Sequence, residues 1–336
     1  MAQTVLQPIL TQTPVQELHL DGLRNRIFVK RDDLLPYSFG GNKVRIGLEF
    51  LRDCITGGCD AMIIYGDRRS NLCRVLAQMC RMNDMPCVMI ETSEHGEDGP
   101  APFNEIMIAS LGVRILPCAK DRIAQTVDKA FALLEGEGRH PYYIYGNRLG
   151  TGNEGTAGLA YLKASEEITD WEEQTGHRLD YVFTACGTGS TQGGLVAGMH
   201  LRRQKTEVVG ISISSRTQER AYSAVWTAAS AALEKAGCTD TEGLKERVQV
   251  ETRYSCGGYG ARDSRVTDLI GEVYRRSSVP LDPTYTGKAM RGMLDYLDEH
   301  GIEGRQIMFL HTGGTPLFFD ELARSGNAGF NRNPLL

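Results

Sequence analysis

The sequence predicts an α/β protein with two domains, each an open, mostly parallel twisted sheet flanked by helices. From about residue 60, short apolar runs of strand length alternate with helix-length segments, which is typical of a parallel sheet covered on both faces. A long helical segment interrupts this alternation near residue 155, and the alternation then resumes. The chain has 336 residues, enough for two domains. We assign residues 52–155 to a small domain and residues 1–51 with 156–336 to a large one, with the active site in the cleft between them.

The first alternating block contains four strands separated by three helices. In chain order, the segments are strand CDAMIIYG, helix SNLCRVLAQMCRMND, strand PCVMIE, a helix near 103–111, strand GVRILPC, a helix near 121–136 and strand PYYIYG. The second block follows the helix NEGTAGLAYLKASEEI. It contains strand DYVFTAC, a helix from Thr191, strand EVVGISIS, a long helix near 217–236 and strand RQIMFLHTGG. The stretch 252–286 is rich in Gly, Tyr and Asp and poor in periodicity, so we expect loops there.

Composition excludes several classes of protein. A net charge of -5 argues against a general nucleic-acid binder, and no segment has the length and apolarity of a membrane span. The N-terminus lacks the basic region and apolar core of a signal peptide. Nine cysteines without a C-x-x-C pair favour free thiols in a reducing cytoplasm. Without an H-E-x-x-H motif or a close Cys/His cluster, we expect no metal site.

Lys43 follows a glycine turn and opens a helix-like run. Gly40 and Gly41 let the backbone bend tightly and approach a ligand closely. Small or apolar residues recur with helical spacing at Val44, Gly47, Leu48 and Leu51. Lys43 therefore lies at a helix N-terminus, where the dipole disfavours a charged ammonium, and a partly neutral amine is a nucleophile.

A second glycine-rich loop, GTGSTQGG at 187–194, lies between a strand and a helix, which predicts a phosphate site. It is not a Walker A loop, because no Gly-Lys-Ser/Thr ends it. Gln192 breaks the dinucleotide pattern, and Thr188 breaks the nucleophile elbow. What remains is a phosphate cradle with hydroxyls at Ser190 and Thr191. The alternative is a glycine-rich loop that only turns the chain.

An amine at a helix start and a distant phosphate cradle together suit pyridoxal 5′-phosphate. Six motifs in order resemble the D-cysteine desulfhydrase / 1-aminocyclopropane-1-carboxylate deaminase family. They are VKRDDL…GGNKVR, SNLCR, ACGTGSTQGGLVAG, GGYG, LDPTYTGKAM and HTGGTP, and they run nearly from end to end. The resemblance implies a tryptophan synthase β-like fold, known as fold type II, with pyridoxal phosphate as cofactor.

The resemblance also implies roles for individual residues. Lys43 would hold the cofactor and move protons at the substrate Cα, and Asn71 would hydrogen-bond the phenolic oxygen of the cofactor. Ser70 would meet the substrate carboxylate. Residues expected to hold the phosphate are Thr188, Gly189, Ser190 and Thr191, and the two active-site tyrosines are Tyr259 and Tyr285. The alternatives are a solvated surface lysine, an ordinary helix N-cap at Ser70-Asn71 and aromatic packing for the tyrosines.

Two departures from relatives bear on the reaction. Thr286 follows the second tyrosine and would face the pyridine nitrogen, where the deaminases carry Glu and the desulfhydrases carry Thr. A hydroxyl leaves the ring nearer neutral, which favours prompt loss of a β substituent over a long-lived carbanion. Arg69 and Leu72 stand where relatives carry Gln and His. Arg69 either favours a second anion on the substrate or points to solvent.

The resemblance therefore implies a lyase that performs α,β-elimination on a small amino acid, with D-cysteine as the first candidate. Other candidate substrates are L-cysteate, β-chloroalanine and D-serine. The alternatives are 1-aminocyclopropane-1-carboxylate deamination, β-replacement and binding of the cofactor without turnover. The resemblance implies a homodimer as well. The leaving group and the stereochemistry stay open.

Overall fold

The computed structural model describes residues 12–92 and 101–325 and contains two sheets. The larger sheet has six strands in the order β1-β2-β10-β7-β8-β9. These are β1 (Val15–Glu17), β2 (Arg26–Lys30), β7 (Tyr181–Cys186), β8 (Glu207–Ser212), β9 (Gln249–Glu251) and β10 (Gln306–Leu310). Only β1 pairs antiparallel, with β2; every other neighbouring pair in this sheet is parallel.

The smaller sheet has four strands, all parallel, in the order β5-β4-β3-β6. They are β3 (Ala61–Gly66), β4 (Cys87–Thr92), β5 (Arg114–Cys118) and β6 (Pro141–Tyr143). The strands of this sheet lie between residues 61 and 143, and the strands of the larger sheet lie outside that range. Two mostly parallel sheets flanked by helices confirm the predicted fold class.

Ten α-helices flank the sheets in the part of the chain described. They are α1 (Asn42–Thr56), α2 (Asn71–Met82), α3 (Phe103–Ser110), α4 (Ile123–Gly136), α5 (Glu154–Thr175), α6 (Ser190–Leu201), α7 (Gln218–Lys235), α8 (Ser264–Ser277), α9 (Thr286–Glu299) and α10 (Thr315–Ser325). Helix α1 begins directly after the predicted glycine turn. A Cβ at Gly40 would lie 2.0 Å from the carbonyl oxygen of Asp33, so the turn requires glycine there.

Helix α8 corrects the prediction that residues 252–286 form loops. It buries Val266, Leu269, Ile270 and Val273, which follow the i, i+3, i+4, i+7 spacing of an amphipathic helix. Asp263 caps this helix by accepting a hydrogen bond from the N–H of Arg265. The periodic signal was present, but glycine- and tyrosine-rich segments on both sides diluted it.

The larger sheet buries both of its faces. Along β2, Phe28 packs into the core that also includes α1, α2 and the smaller sheet. Its neighbours Ile27 and Val29 point to the opposite face, where they join the core formed with α8 and α9. This double burial is expected for parallel strands that are covered by helices.

None of the helices within residues 12–92 and 101–325 is long and apolar enough to cross a membrane. Over the same residues, no group of three or more His, Cys, Asp or Glu side chains is arranged to hold a metal ion. The first eleven residues, on which the expectation about a signal peptide depends, lie outside the described part of the chain.

Candidate active site

A cavity of about 690 Å³ lies at the carboxyl ends of strands from both sheets. Gly66 ends β3 of the smaller sheet, while Gly187, Ile213 and Thr312 follow β7, β8 and β10 of the larger one, and all four residues line the cavity. Ligands of parallel α/β folds bind at this edge of the sheet. The cavity is therefore the candidate active site.

Lys43 lies in the first turn of α1 and lines this cavity. Its ammonium forms no ion pair with a described acidic side chain, and burial among protein atoms lowers the pKa of Lys43 to about 8. The sequence predicted a lowered pKa from the helix dipole, and in the structure burial lowers the pKa of Lys43.

The residue before the lysine joins it to the phosphate loop. The amide Nδ2 of Asn42 donates a hydrogen bond of 2.8 Å to the hydroxyl of Thr191, and both groups are buried. The backbone N–H of Asn42 donates to the carbonyl of Thr312, which follows β10. These two bonds place the start of α1 against the start of α6, so the amine and the glycine-rich loop face one cavity.

The loop from 187 to 191 has the features of an anion site. Gly189 has φ 93°, and a Cβ there would lie 2.9 Å from the backbone carbon of Ala224, so only glycine fits. The first described backbone bond of α6 is donated by the N–H of Gly193, which leaves the preceding amides without a described backbone acceptor. Thr188 and Ser190 contribute hydroxyls 3.4 Å apart. Exposed amides at a helix N-terminus attract phosphate.

Ser70 and Asn71 lie at the start of α2, and both line the cavity. The hydroxyl of Ser70 caps the helix by accepting from the N–H of Cys73 at 3.2 Å, so the alternative of an N-cap is observed. The side-chain oxygen of Asn71 accepts from Asn104 at 3.0 Å, which orients the amide of Asn71 as a donor.

Tyr259 and Tyr285 both line the cavity, with their hydroxyl oxygens 2.9 Å apart and their rings edge to face. Burial raises the pKa of both phenols, so both are protonated at neutral pH. The buried ammonium of Lys288, which the sequence did not single out, donates to the carbonyl of Gly258 and holds the first tyrosine loop in place.

Thr286 is fully buried and does not line the cavity. Its hydroxyl donates to the carboxylate of Asp282 at 2.8 Å and accepts from the N–H of Asp282 at the same distance. The hydroxyl of Thr286 therefore bonds to Asp282, whereas the family resemblance implied that this side chain faces the pyridine nitrogen of the cofactor. Asp282 itself lines the cavity, and burial raises the pKa of its carboxyl group.

The structure also separates the residues around the start of α2. Leu72, the second residue of α2, lines the cavity. Arg69 does not: it lines a separate crevice with Asp320 and Glu321. Asp67 lines the cavity as well, and sequence reasoning missed it because a local pattern does not show which way a loop side chain points.

These residues fit pyridoxal phosphate. The cavity offers an amine with a lowered pKa, an amide-lined loop for a phosphate and an oriented amide donor at Asn71 for the phenolic oxygen. Ser190 lines an adjoining pocket of about 600 Å³ that shares Thr188 with the main cavity. The two pockets thus meet at this loop.

Known proteins share this architecture. Residues 6–313 match the family model described as pyridoxal-phosphate dependent enzyme. The chain is 33% identical over 323 residues to a putative 1-aminocyclopropane-1-carboxylate deaminase of Pyrococcus abyssi, covering 92% of this chain and 91% of the relative. It is 28% identical over 323 residues to a D-cysteine desulfhydrase of Klebsiella pneumoniae, covering 94% and 95%. A crystal structure of a 1-aminocyclopropane-1-carboxylate deaminase homologue aligns with TM-score 0.76 and 28% identity over 94% of both chains.

The family match and the fold define a pyridoxal-phosphate dependent enzyme, and the cavity at the carboxyl ends of the two mostly parallel sheets is its candidate cofactor site. The chain belongs to the family of pyridoxal-phosphate dependent enzymes, in the group of 1-aminocyclopropane-1-carboxylate deaminases and D-cysteine desulfhydrases. The predicted family, cofactor and tryptophan synthase β-like fold are therefore confirmed. The roles of individual site residues stay predictions.

Proposed function

We propose that this enzyme catalyses α,β-elimination from a small amino acid, with D-cysteine as the first candidate and pyruvate, sulfide and ammonia as products. The observation that carries the proposal is the bond between Asn42 and Thr191, which places the Lys43 amine and the phosphate loop on one cavity. Pyridoxal phosphate held between the Lys43 amine and this loop would present an amino acid to Tyr259 and Tyr285, which line the same cavity. When bound, the cofactor supplies the electron sink for cleavage at Cα.

Lys43 would hold the cofactor and then move the proton at Cα. With a pKa of about 8, about a tenth of its amine is neutral at pH 7 and about half at pH 8. A general base is most effective when its pKa lies near the working pH. An ordinary surface lysine, with a pKa near 10.4, would be almost entirely protonated there.

Ser70 and the N-terminus of α2 would bind the substrate carboxylate. The helix presents free N–H groups and a positive dipole end, both of which favour an anion. The Ser70 hydroxyl caps the helix through its oxygen and can donate its proton to the carboxylate at the same time. The amino acid would then extend its side chain towards Tyr259 and Tyr285, whose paired phenols orient the β substituent.

Ring-opening deamination of 1-aminocyclopropane-1-carboxylate is the second candidate. A specific observation favours it: Asp282 brings a buried carboxylate to the cavity, beside Thr286. A carboxylate that reaches the pyridine nitrogen would stabilise a protonated ring and deepen the electron sink. Relatives named for both activities resemble the chain to a similar extent. β-Replacement would need a second substrate, and a protein that binds the cofactor without turnover would form no product at all.

We also propose that the enzyme is a cytoplasmic homodimer. All nine cysteines are free thiols, as expected in a reducing compartment. Light scattering of the purified protein tests the dimer: a mass of twice the monomer supports it, and a monomeric mass refutes it.

The proposed reaction is tested by turnover of a substrate panel with the cofactor-loaded protein. The panel is D-cysteine, L-cysteate, β-chloroalanine, D-serine and 1-aminocyclopropane-1-carboxylate. Pyruvate and sulfide from D-cysteine support elimination, whereas 2-oxobutyrate from the cyclopropane substrate supports deamination instead. Lys43→Ala is expected to lose turnover, while Lys129→Ala, at an exposed position of α4, keeps it. Full turnover by Lys43→Ala, or no product from any substrate, contradicts the proposal.

A further inference from the structure

Asp67 brings a carboxylate to the cavity that Tyr259 and Tyr285 also line. It follows β3 directly and precedes the N-terminus of α2. Its Oδ1 accepts a hydrogen bond of 2.8 Å from the N–H of Arg69, which fixes the loop as a tight turn. Burial raises the pKa of both phenols, and the negative charge of Asp67 raises it further. One side chain therefore shapes the loop and also places a carboxylate in the cavity.

The groups that line this part of the cavity can accept hydrogen bonds from a ligand. The Oδ1 of Asp67 accepts from the N–H of Arg69, and its second carboxylate oxygen can accept from a ligand. The hydroxyl oxygens of Tyr259 and Tyr285 lie 2.9 Å apart, and either hydroxyl can donate to the other. Both phenols keep their protons, because burial raises the pKa of each.

No ion pair neutralises this carboxylate. No Lys or Arg of the described residues forms an ion pair with Asp67. Of the arginines that line the cavity, Arg216 follows β8 and Arg220 lies in α7, and both are exposed. Arg69, for which one alternative was the attraction of a second substrate anion, lines a different crevice. The cavity therefore contains, with the two tyrosines, a carboxylate without an ion-pair partner among the described residues.

We propose that Asp67 is a specificity-determining residue, which selects amino acids whose side chain donates a hydrogen bond or carries a positive charge and rejects side chains that end in a carboxylate or sulfonate. This inference rests on the proposed function, since it needs an amino acid held in this cavity. It favours thiol, hydroxyl and amine substituents. It excludes cysteate from the substrates considered above, because a sulfonate would face the like charge of the Asp67 carboxylate.

The test is calorimetric binding of charged amino acids to the cofactor-loaded protein at pH 7. The ligands are 2,4-diaminobutyrate and aspartate, each as both enantiomers, and the readout is the ratio of their dissociation constants. We expect diaminobutyrate to bind at least tenfold more tightly than aspartate, as for a charge-assisted hydrogen bond. Asp67→Asn should reduce that ratio about tenfold or more. The asparagine keeps an oxygen for the N–H of Arg69, so the turn is preserved while the negative charge is removed.

Asp128→Asn is the matched control, because Asp128 is an exposed carboxylate of the same α/β block, on α4, paired only with Arg148 among the described residues. It should leave the ratio within about twofold. A ratio unchanged by Asp67→Asn overturns the inference and leaves the proposed function standing. If no amino acid binds to the loaded protein, the proposed function fails and the inference fails with it. Should Asp67→Asn not retain the cofactor's absorption band, Asp67→Ser carries the same prediction, since serine supports the same turn.

Discussion

Replacing Lys43 by Met should stabilise the protein when the cofactor has been removed. Burial lowers the pKa of Lys43 from 10.5 to about 8, so the charged ammonium destabilises the native state at neutral pH. One pKa unit corresponds to about 1.4 kcal/mol, which gives a cost of about 3 kcal/mol at pH 7. A methionine of similar length occupies the same space without a charge, so Lys43→Met should recover most of that free energy.

The sign and the pH window of this effect follow from linkage. Between pH 8 and pH 10.5 the unfolded chain binds a proton at this site that the native protein does not, so the wild type gains stability as the pH rises. The advantage of Lys43→Met is therefore largest below pH 8. It should shrink by about 2 kcal/mol between pH 7 and pH 10.

Urea unfolding of the two cofactor-free proteins at both pH values measures this difference. Lys129→Met serves as the control, because Lys129 is exposed on α4, and its effect should not depend on pH in this range. A Lys43→Met variant that is no more stable than wild type at pH 7, or an advantage that stays constant up to pH 10, would refute the burial of a costly ammonium at this position.

Two further predictions concern the groups that hold the site together. Asn42→Ala removes the buried bond to Thr191, which should weaken pyridoxal phosphate binding about fivefold in a titration followed by absorbance, whereas Asn25→Ala, distant from the cavity, should not change it. Lys288→Met releases the carbonyl of Gly258 and with it the first tyrosine loop, so kcat should fall about tenfold or more while the cofactor dissociation constant stays within about twofold. Wild-type kcat in that variant would show that the loop holds its shape without the ammonium.

The parts of the site that could be predicted from the sequence are those coded by contiguous residues. The glycine turn before Lys43 and the loop at 187–194 each combine backbone geometry, helix start and chemistry in one short stretch. Strands and helices around them follow from apolar periodicity, since parallel strands buried on both faces read as continuous apolar runs. Helix α8 was not predicted, because its periodic segment is short and lies between segments rich in glycine and tyrosine.

What could not be predicted depends on contacts between distant parts of the chain. Lys288 reaches a carbonyl thirty residues earlier, and Asn42 reaches a hydroxyl 149 residues later. A local sequence pattern also does not predict the direction of a loop side chain. Arg69 and Asp67 are two residues apart, yet of these two only Asp67 lines the cavity. Thr286 satisfies its hydroxyl within its own turn through Asp282, which no motif reveals.

The most direct test of the central claim is to find where the cofactor attaches. The protein is loaded with pyridoxal phosphate, reduced with borohydride and digested, and the peptides are sequenced by mass spectrometry. The lowered pKa and the position of Lys43 on the shared cavity predict a phosphopyridoxyl group on this residue alone, at about one per chain. A label on Lys288 or on a surface lysine, with Lys43 unmodified, would contradict the account.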